Sequence, residues 1–237
     1  TPGGAVLWSR SFQPVPQATA HITDLVEDSD GMLAGSAIVG DGNFNLKSYA
    51  FRYDPGTGNI LWAKRLEQQS PEAFAILEKE PGGNYLMLTS PQLALNVDDA
   101  EVWEFNRNTG ALVGGLTDRY GLGVSDVWNS MVVHNNALYV VGRHIPVTQP
   151  GPAPLNKMRA GLSKIDLVSG NPVWTRLSHI DTSASATLFG QDLLVHDNAL
   201  LSVYNGNDSA DPDGVQALFL QKNTLDGELL WVKRFDT

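Results

Sequence analysis

Cysteine is absent from the 237 residues, which excludes disulfides, thiolate metal sites and cysteine nucleophiles. Charge is scarce as well: 18% of the residues are charged, and acids outnumber bases to leave a net charge of −10. A surface so short of Lys and Arg argues against nucleic acid or an anionic membrane as partner, since both select basic patches. It suits cations, basic proteins or neutral glycans. No apolar run approaches the roughly 18 residues of a membrane span. The opening TPGGAVLW has neither the basic region nor the apolar stretch of a signal peptide. A capped 3.6-residue period is nowhere sustained over about ten residues, so no helix is expected. Also missing are the G-x-S-x-G elbow, H-E-x-x-H, the P-loop and the dinucleotide fingerprint.

What the chain does have is a repeat. Asp54 to Trp62 reads DPGTGNILW, Asp166 to Trp174 reads DLVSGNPVW, and Asn223 to Trp231 reads NTLDGELLW. Asn106 to Gly114, NRNTGALVG, has Gly where the others have Trp, and a truncated copy, GAVLW, ends at Trp8. The rule is Asp or Asn, three residues, Gly, three residues, then an aromatic. Its last position falls at 8, 62, 114, 174 and 231, in steps of 54, 52, 60 and 57. A period of that size with strand-like patterning indicates an array of blades. The 42% hydrophobic content, with 23 Gly and 13 Pro, suits short strands punctuated by turns and not disorder.

Each repeat divides into four strands, a to d. The expectation is an all-β fold, a β-propeller of four-stranded antiparallel blades. Residues 1–237 form one domain or a propeller fragment, with repeats at about 21–67, 72–117, 126–178 and 185–237 and an orphan strand at 5–12. The a–b turns are short: Ser29-Asp30-Gly31, Pro81-Gly82-Gly83, Asn135-Asn136 and Asp197-Asn198. In the c–d turn, the Asp or Asn accepts backbone N–H bonds. Gly58, Gly110, Gly170 and Gly227 then take a conformation closed to residues with a Cβ. Trp8, Trp62, Trp174 and Trp231 are expected to pack against an adjacent blade, each ring removing about 150–250 Å² from water.

The Asp-x-x-Thr-Gly-x-x-x-Trp of Asp54, Thr57, Gly58 and Trp62 resembles the tryptophan-docking motif of quinoprotein-dehydrogenase-like (PQQ-like) propellers. That superfamily includes pyrroloquinoline-quinone dehydrogenases and the propeller lipoprotein of outer-membrane protein assembly. The run DGMLAGSAIVGDGN, followed by YAFRYDPGTGNILWAKRL, is similar to propeller repeats of secreted bacterial proteins. The resemblance implies fold and a secreted, periplasmic or cell-surface bacterial setting. Where that motif has a small residue two before the Asp, this chain has Arg52 and Lys164. Related enzymes carry seven or eight blades with a quinone and Ca²⁺ over the channel. Four repeats and no cysteine carry over no catalytic or cofactor residue.

Chemistry-bearing clusters are few. His134 and His196 occupy one site in successive repeats, and His21, His144 and His179 have no partner at metal-ligand spacing. Glu27 to Gly31 reads as a hairpin. Asn207 to Gly214, NDSADPDG, has the alternating oxygens of a Ca²⁺ loop, so Asp208, Asp211 and Asp213 are the candidate metal ligands. The place of the bidentate Glu falls on Leu220, and an EF-hand is excluded.

In propellers the b–c and d–a connections share one face. Here the b–c loops DGNFNL, PQLALNVDD, IPVTQPGPAPLN and NDSADPDG vary, and variable loops on a rigid scaffold carry recognition. That face would hold Asp41, Asp98, Asp99, Asp208, Asp211 and Asp213, with Tyr120 on a d–a connection. The expected function is a non-catalytic binding or scaffold module that takes a protein or glycan partner there. Three arrangements stay open, closure on its own four blades, pairing with a second copy into eight, or a place in a longer array, with no nucleic acid and no membrane insertion. The alternative is an enzyme, quinoprotein-like or a propeller hydrolase, using carboxylates of that face.

Overall fold

The computed structural model describes residues 9, 19–40, 46–67, 71–94, 97–98, 100–116, 125–145, 159–178, 187–207 and 216–236. All regular structure among them is strand, in four antiparallel sheets. The first runs β1(Thr19–Glu27), β2(Leu33–Gly40), β3(Leu46–Asp54) and β4(Asn59–Arg65) in that order. The second is β5(Pro71–Glu78), β6(Tyr85–Ala94), β8(Glu101–Phe105) and β9(Leu112–Leu116), with the short β7(Val97–Asp98) beside β6. The third orders β10(Ser125–His134), β11(Ala137–Ile145), β12(Arg159–Asp166) and β13(Pro172–Leu177). The fourth orders β14(Thr187–His196), β15(Ala199–Asn207), β16(Gln216–Thr224) and β17(Leu229–Asp236). These are the four expected blades. The orphan strand at 5–12 and Trp8 lie outside the described residues, except for Ser9.

Two compact units divide the chain: Thr1–Thr89 with Val102–Gly115, and Ser90–Glu101 with Leu116–Thr237. The first holds most of the first two blades and the second the last two.

Turn chemistry accounts for the strand joints. Asp54 Oδ1 accepts from Gly56 N at 2.8 Å, Asn106 Oδ1 from Asn108 N and Thr109 N, and Asp166 Oδ1 from Val168 N and Ser169 N. In each, the glycine N–H bonds the carbonyl four residues back, and Gly58, Gly110 and Gly170 have φ of 70°, 65° and 72°. The fourth turn is tighter. Gly227 N donates to Thr224 O, the Thr224 hydroxyl takes over as acceptor, and Asn223 is buried with Nδ2 donating to Gly227 O. Asn135, Asn136, Asp197 and Asn198 all have positive φ, as two-residue I′ hairpin turns require.

One expected loop is instead strand. PQLALNVDD continues β6 to Ala94 and turns back through β7, pairing Gln92 with Asp98 and Ala94 with Val97. β6 runs through Pro91.

Within each unit, neighbouring blades meet through a docked tryptophan. Trp62 lies in a cluster with Ala34 and Ala50 of its own sheet and Ile76, Tyr85, Trp103 and Phe105 of the next. Its Nε1 donates to Arg107 O at 2.8 Å, and a Cβ on Gly110 would stand 2.5 Å from its Cε3. Trp174 repeats the arrangement: a Cβ on Gly227 would stand 3.1 Å from its ring, with Tyr139 at 6.2 Å between centroids. The ring of one blade is thus seated on the left-handed glycine of the next. At Gly114, where the ring is missing, an added Cβ would meet nothing within 4 Å.

Trp62→Ala and Trp174→Ala should each lower stability by about 3–5 kcal/mol, as buried large-to-small changes do. Gly110→Ala should cost about 2 kcal/mol or more, through overlap with Trp62 and its positive φ. Gly114→Ala should be near neutral. Urea midpoints check the set, and equal costs at 110 and 114 would refute the seat.

Candidate functional site

The a–b turn of the first blade is built on Asp28. Its Oδ1 accepts from Asp30 N at 2.9 Å and Met32 N at 3.0 Å, which folds Glu27 to Gly31 into the hairpin. Its Oδ2 accepts from Arg52 Nε at 3.0 Å and, in a short bond, from the Tyr85 hydroxyl of the second blade. Arg107, just after β8, brings Nη2 to 3.2 Å from Asp28 Oδ1 and 2.7 Å from Asp30 Oδ2. Its Nη1 contacts Glu78 Oε1 and donates to Ser29 Oγ at 3.1 Å. Glu78 in turn accepts from Ser29 N, Ser29 Oγ and Gly82 N. Two cations and three anions are therefore interlocked, with Asp28, Arg52, Arg107 and Tyr85 all buried.

Such an arrangement fixes charge. Burial alone would push the Asp28 carboxyl up. The Tyr85 hydrogen bond, the two backbone N–H groups and the Arg52 charge outweigh it, so its pKa lies below the ordinary value. Burial, with the bond to Asp28, raises that of Tyr85. A carboxylate with every lone pair engaged and no access to solvent is neither a usable base nor an acid. The cluster is a latch between the first two blades.

The second unit carries a polar seam between its inner strands. β10 and β14 each bulge, between Trp128 and Ser130 and between Gly190 and Asp192. At those bulges Asn129 Nδ2 donates to Gly190 O at 2.7 Å and Ser130 Oγ to Asp192 Oδ1 at 2.8 Å. In the first unit, β1 bulges at the same place, and Asp24 Oδ2 accepts Ile76 N of the second blade.

Trp62 and Trp174 dock as expected, and the four motif glycines all have positive φ. Trp231 is half-buried, with Lys233 Nζ 5.4 Å from its ring centroid. Asp208, Asp211 and Asp213 lie outside the described residues, as do Asp41, Asp99, Tyr120 and residues 146–156, while Asp98 is described only as backbone in β7. Among the described residues no three His, Asp or Glu side chains are placed to hold a metal ion. His134 and His196 stay apart in separate blades; His196 Nε2 is 3.1 Å from Asp197 Oδ2 at the surface. The latch itself was missed in the sequence. Its signals were Arg52 in place of a small residue and Arg107 inside NRNTG.

No family model matches the chain, and no curated protein matches it. Solved structures do. The GH93 α-L-arabinofuranosidase of Fusarium graminearum superposes with a TM-score of 0.59 at 13% identity, over 93% of this chain and 66% of that one. The α-L-arabinanase of Penicillium chrysogenum gives 0.62 at 10% identity, over 90% of this chain and 65% of that one. Both were solved with arabinobiose. The fold is a β-propeller. The chain spans just under two thirds of the length of either neighbour.

The likeness upholds propeller blades as a class and not the quinoprotein branch. It also corrects the functional expectation. The neighbours are an arabinofuranosidase and an arabinanase, which counts against the expected non-catalytic binding or scaffold module and against the expected absence of catalysis.

The Asp28 carboxyl titrates lower in the folded chain than in the unfolded one. Its contribution is therefore present above the ordinary carboxylate range and lost as pH falls through the folded value. Asp28→Asn should cost about 3–5 kcal/mol at neutral pH, as for a broken buried ion pair. The gap to wild type should narrow below about pH 3.9. A gap independent of pH in urea melts would remove Asp28 from the latch.

Proposed function

We propose that the chain is a glycoside hydrolase propeller, or the larger part of one, that cleaves an arabinose-containing glycan. The observation that carries this reading is the likeness to an arabinofuranosidase and an arabinanase over nine tenths or more of the chain. Chemistry narrows where its acids would lie. At the a–b and c–d ends, Asp28, Asp54, Glu78, Glu104 and Asp166 all accept hydrogen bonds from neighbouring groups. In chain position, Asp41, Asp98, Asp99, Asp208, Asp211 and Asp213 belong to the opposite ends, after the b strands. They are the candidates for the general acid and its partner carboxylate. A net charge of −10 is no obstacle to a neutral glycan. Work on a polymeric glycan also suits the secreted or cell-surface setting that the repeats resemble.

The test is sugar release from linear arabinan and an aryl α-L-arabinofuranoside by the wild type and six single Asp→Asn variants. Two of the six should lose about 10²–10⁴-fold in rate while keeping their melting temperature. No release by wild type, or undiminished rates in all six, would overturn the reading. A Ca²⁺ ion at Asp208, Asp211 and Asp213 stays a proposal carried by sequence alone. It predicts millimolar calorimetric binding that Asp211→Ala with Asp213→Ala abolishes.

A further inference from the structure

The two glycine seats are not alike. On the first, the indole N–H of Trp62 donates to Arg107 O at 2.8 Å. On the second, Trp174 Nε1 is buried and has no acceptor among the described residues. A buried N–H without a partner forfeits the hydrogen bond that water would give it. The second seat is also looser. A Cβ on Gly110 would stand 2.5 Å from the Trp62 ring, and one on Gly227 would stand 3.1 Å from the Trp174 ring.

The cause is a turn one residue short. Ten positions separate Arg52 from its cross-strand partner Trp62, and Lys164 from Trp174, but only nine separate Lys222 from Trp231. The turn that seats Trp62 starts at Asn106, whose carbonyl accepts Gly110 N from four residues on. The next carbonyl, that of Arg107, receives the indole. The turn that seats Trp174 starts at Thr224, whose carbonyl accepts Gly227 N from three residues on. With one residue fewer, the next carbonyl, that of Leu225, makes no bond to the indole. Asn223 does not fill in, since its Oδ1 accepts from Gln221 Nε2 and its Nδ2 donates to Gly227 O. Undocking therefore breaks a protein hydrogen bond at Trp62 and creates one, to water, at Trp174. Apolar burial keeps both rings seated. The hydrogen bond makes local opening less costly at the second seat.

We propose that the seat on Gly227 is a built-in opening point of the second unit, where Trp174 leaves and re-enters the seam while the third and fourth sheets stay paired. Hydrogen exchange followed by NMR on the folded chain tests it. The reporters are the indole N–H groups of Trp62 and Trp174 and the seat amides of Gly110 and Gly227. In the wild type, the Trp174 indole N–H should exchange about tenfold faster than that of Trp62, or more. Equal rates, or a slower Trp174, would overturn the opening point. Trp62→Phe and Trp174→Phe then remove the same part of each ring. The first also strands Arg107 O, whereas the second removes an N–H that had no partner. Exchange at Gly110 in Trp62→Phe should therefore accelerate at least about fivefold more than exchange at Gly227 in Trp174→Phe. Equal acceleration at the two seats would show that the unpaired N–H does not set the opening, and the proposal would fail. The wild-type comparison decides by itself if either variant does not fold.

Discussion

The seating of an indole ring on a glycine of the following repeat is the contact on which this architecture depends. A four-stranded blade has two apolar faces and too little of its own mass to cover them. Trp62 and Trp174 supply a large flat surface, and Gly110 and Gly227 supply a place without side-chain atoms for it to lie on. The same left-handed φ that closes the c–d turn also clears the seat, so local turn geometry and long-range packing are set by one residue. Where Gly114 replaces the ring, an added Cβ would meet nothing within 4 Å.

The two seams add different chemistry to this shared contact. Between the first and second blades, Arg52 and Arg107 are buried among Asp28, Asp30 and Glu78. Removing two guanidinium groups from water costs several kcal/mol each and is offset only by a full set of partners. Such a cluster contributes little net stability, but no other alignment of the two blades would satisfy it. Between the third and fourth blades, Lys164, the counterpart of Arg52, stands 3.8 Å from the exposed Asp226. That pair is solvated and worth little. There the inner-strand bonds of Asn129 and Ser130 fix the alignment instead.

The sequence discloses whatever is written within a few residues. Asp54, Gly58 and Trp62 announce both turn and docking ring because the Asx bond, the positive φ and the apolar face recur at fixed spacing. The fourth turn was misread by one position, since Asn223 and Thr224 both offer a side-chain acceptor and only the backbone register chooses Thr224. The β6–β7 hairpin within PQLALNVDD was hidden because its pairing, Gln92 with Asp98 and Ala94 with Val97, spans too few residues to show a strand period. The latch could not be read: Asp28, Arg52, Tyr85 and Arg107 are separated by tens of residues and meet only when two blades stack.

The distance along the chain between each ring and its seat also bears on how the protein is made. Trp62 precedes Gly110, and Trp174 precedes Gly227, by about 50 residues. At roughly 5–20 residues per second, the ribosome needs about 3–10 s to deliver the seat after the ring. Through that interval a finished blade presents its tryptophan face bare to its surroundings. A repeat protein of this type is therefore born with one sticky surface at a time, handed forward from blade to blade as each new c–d turn emerges.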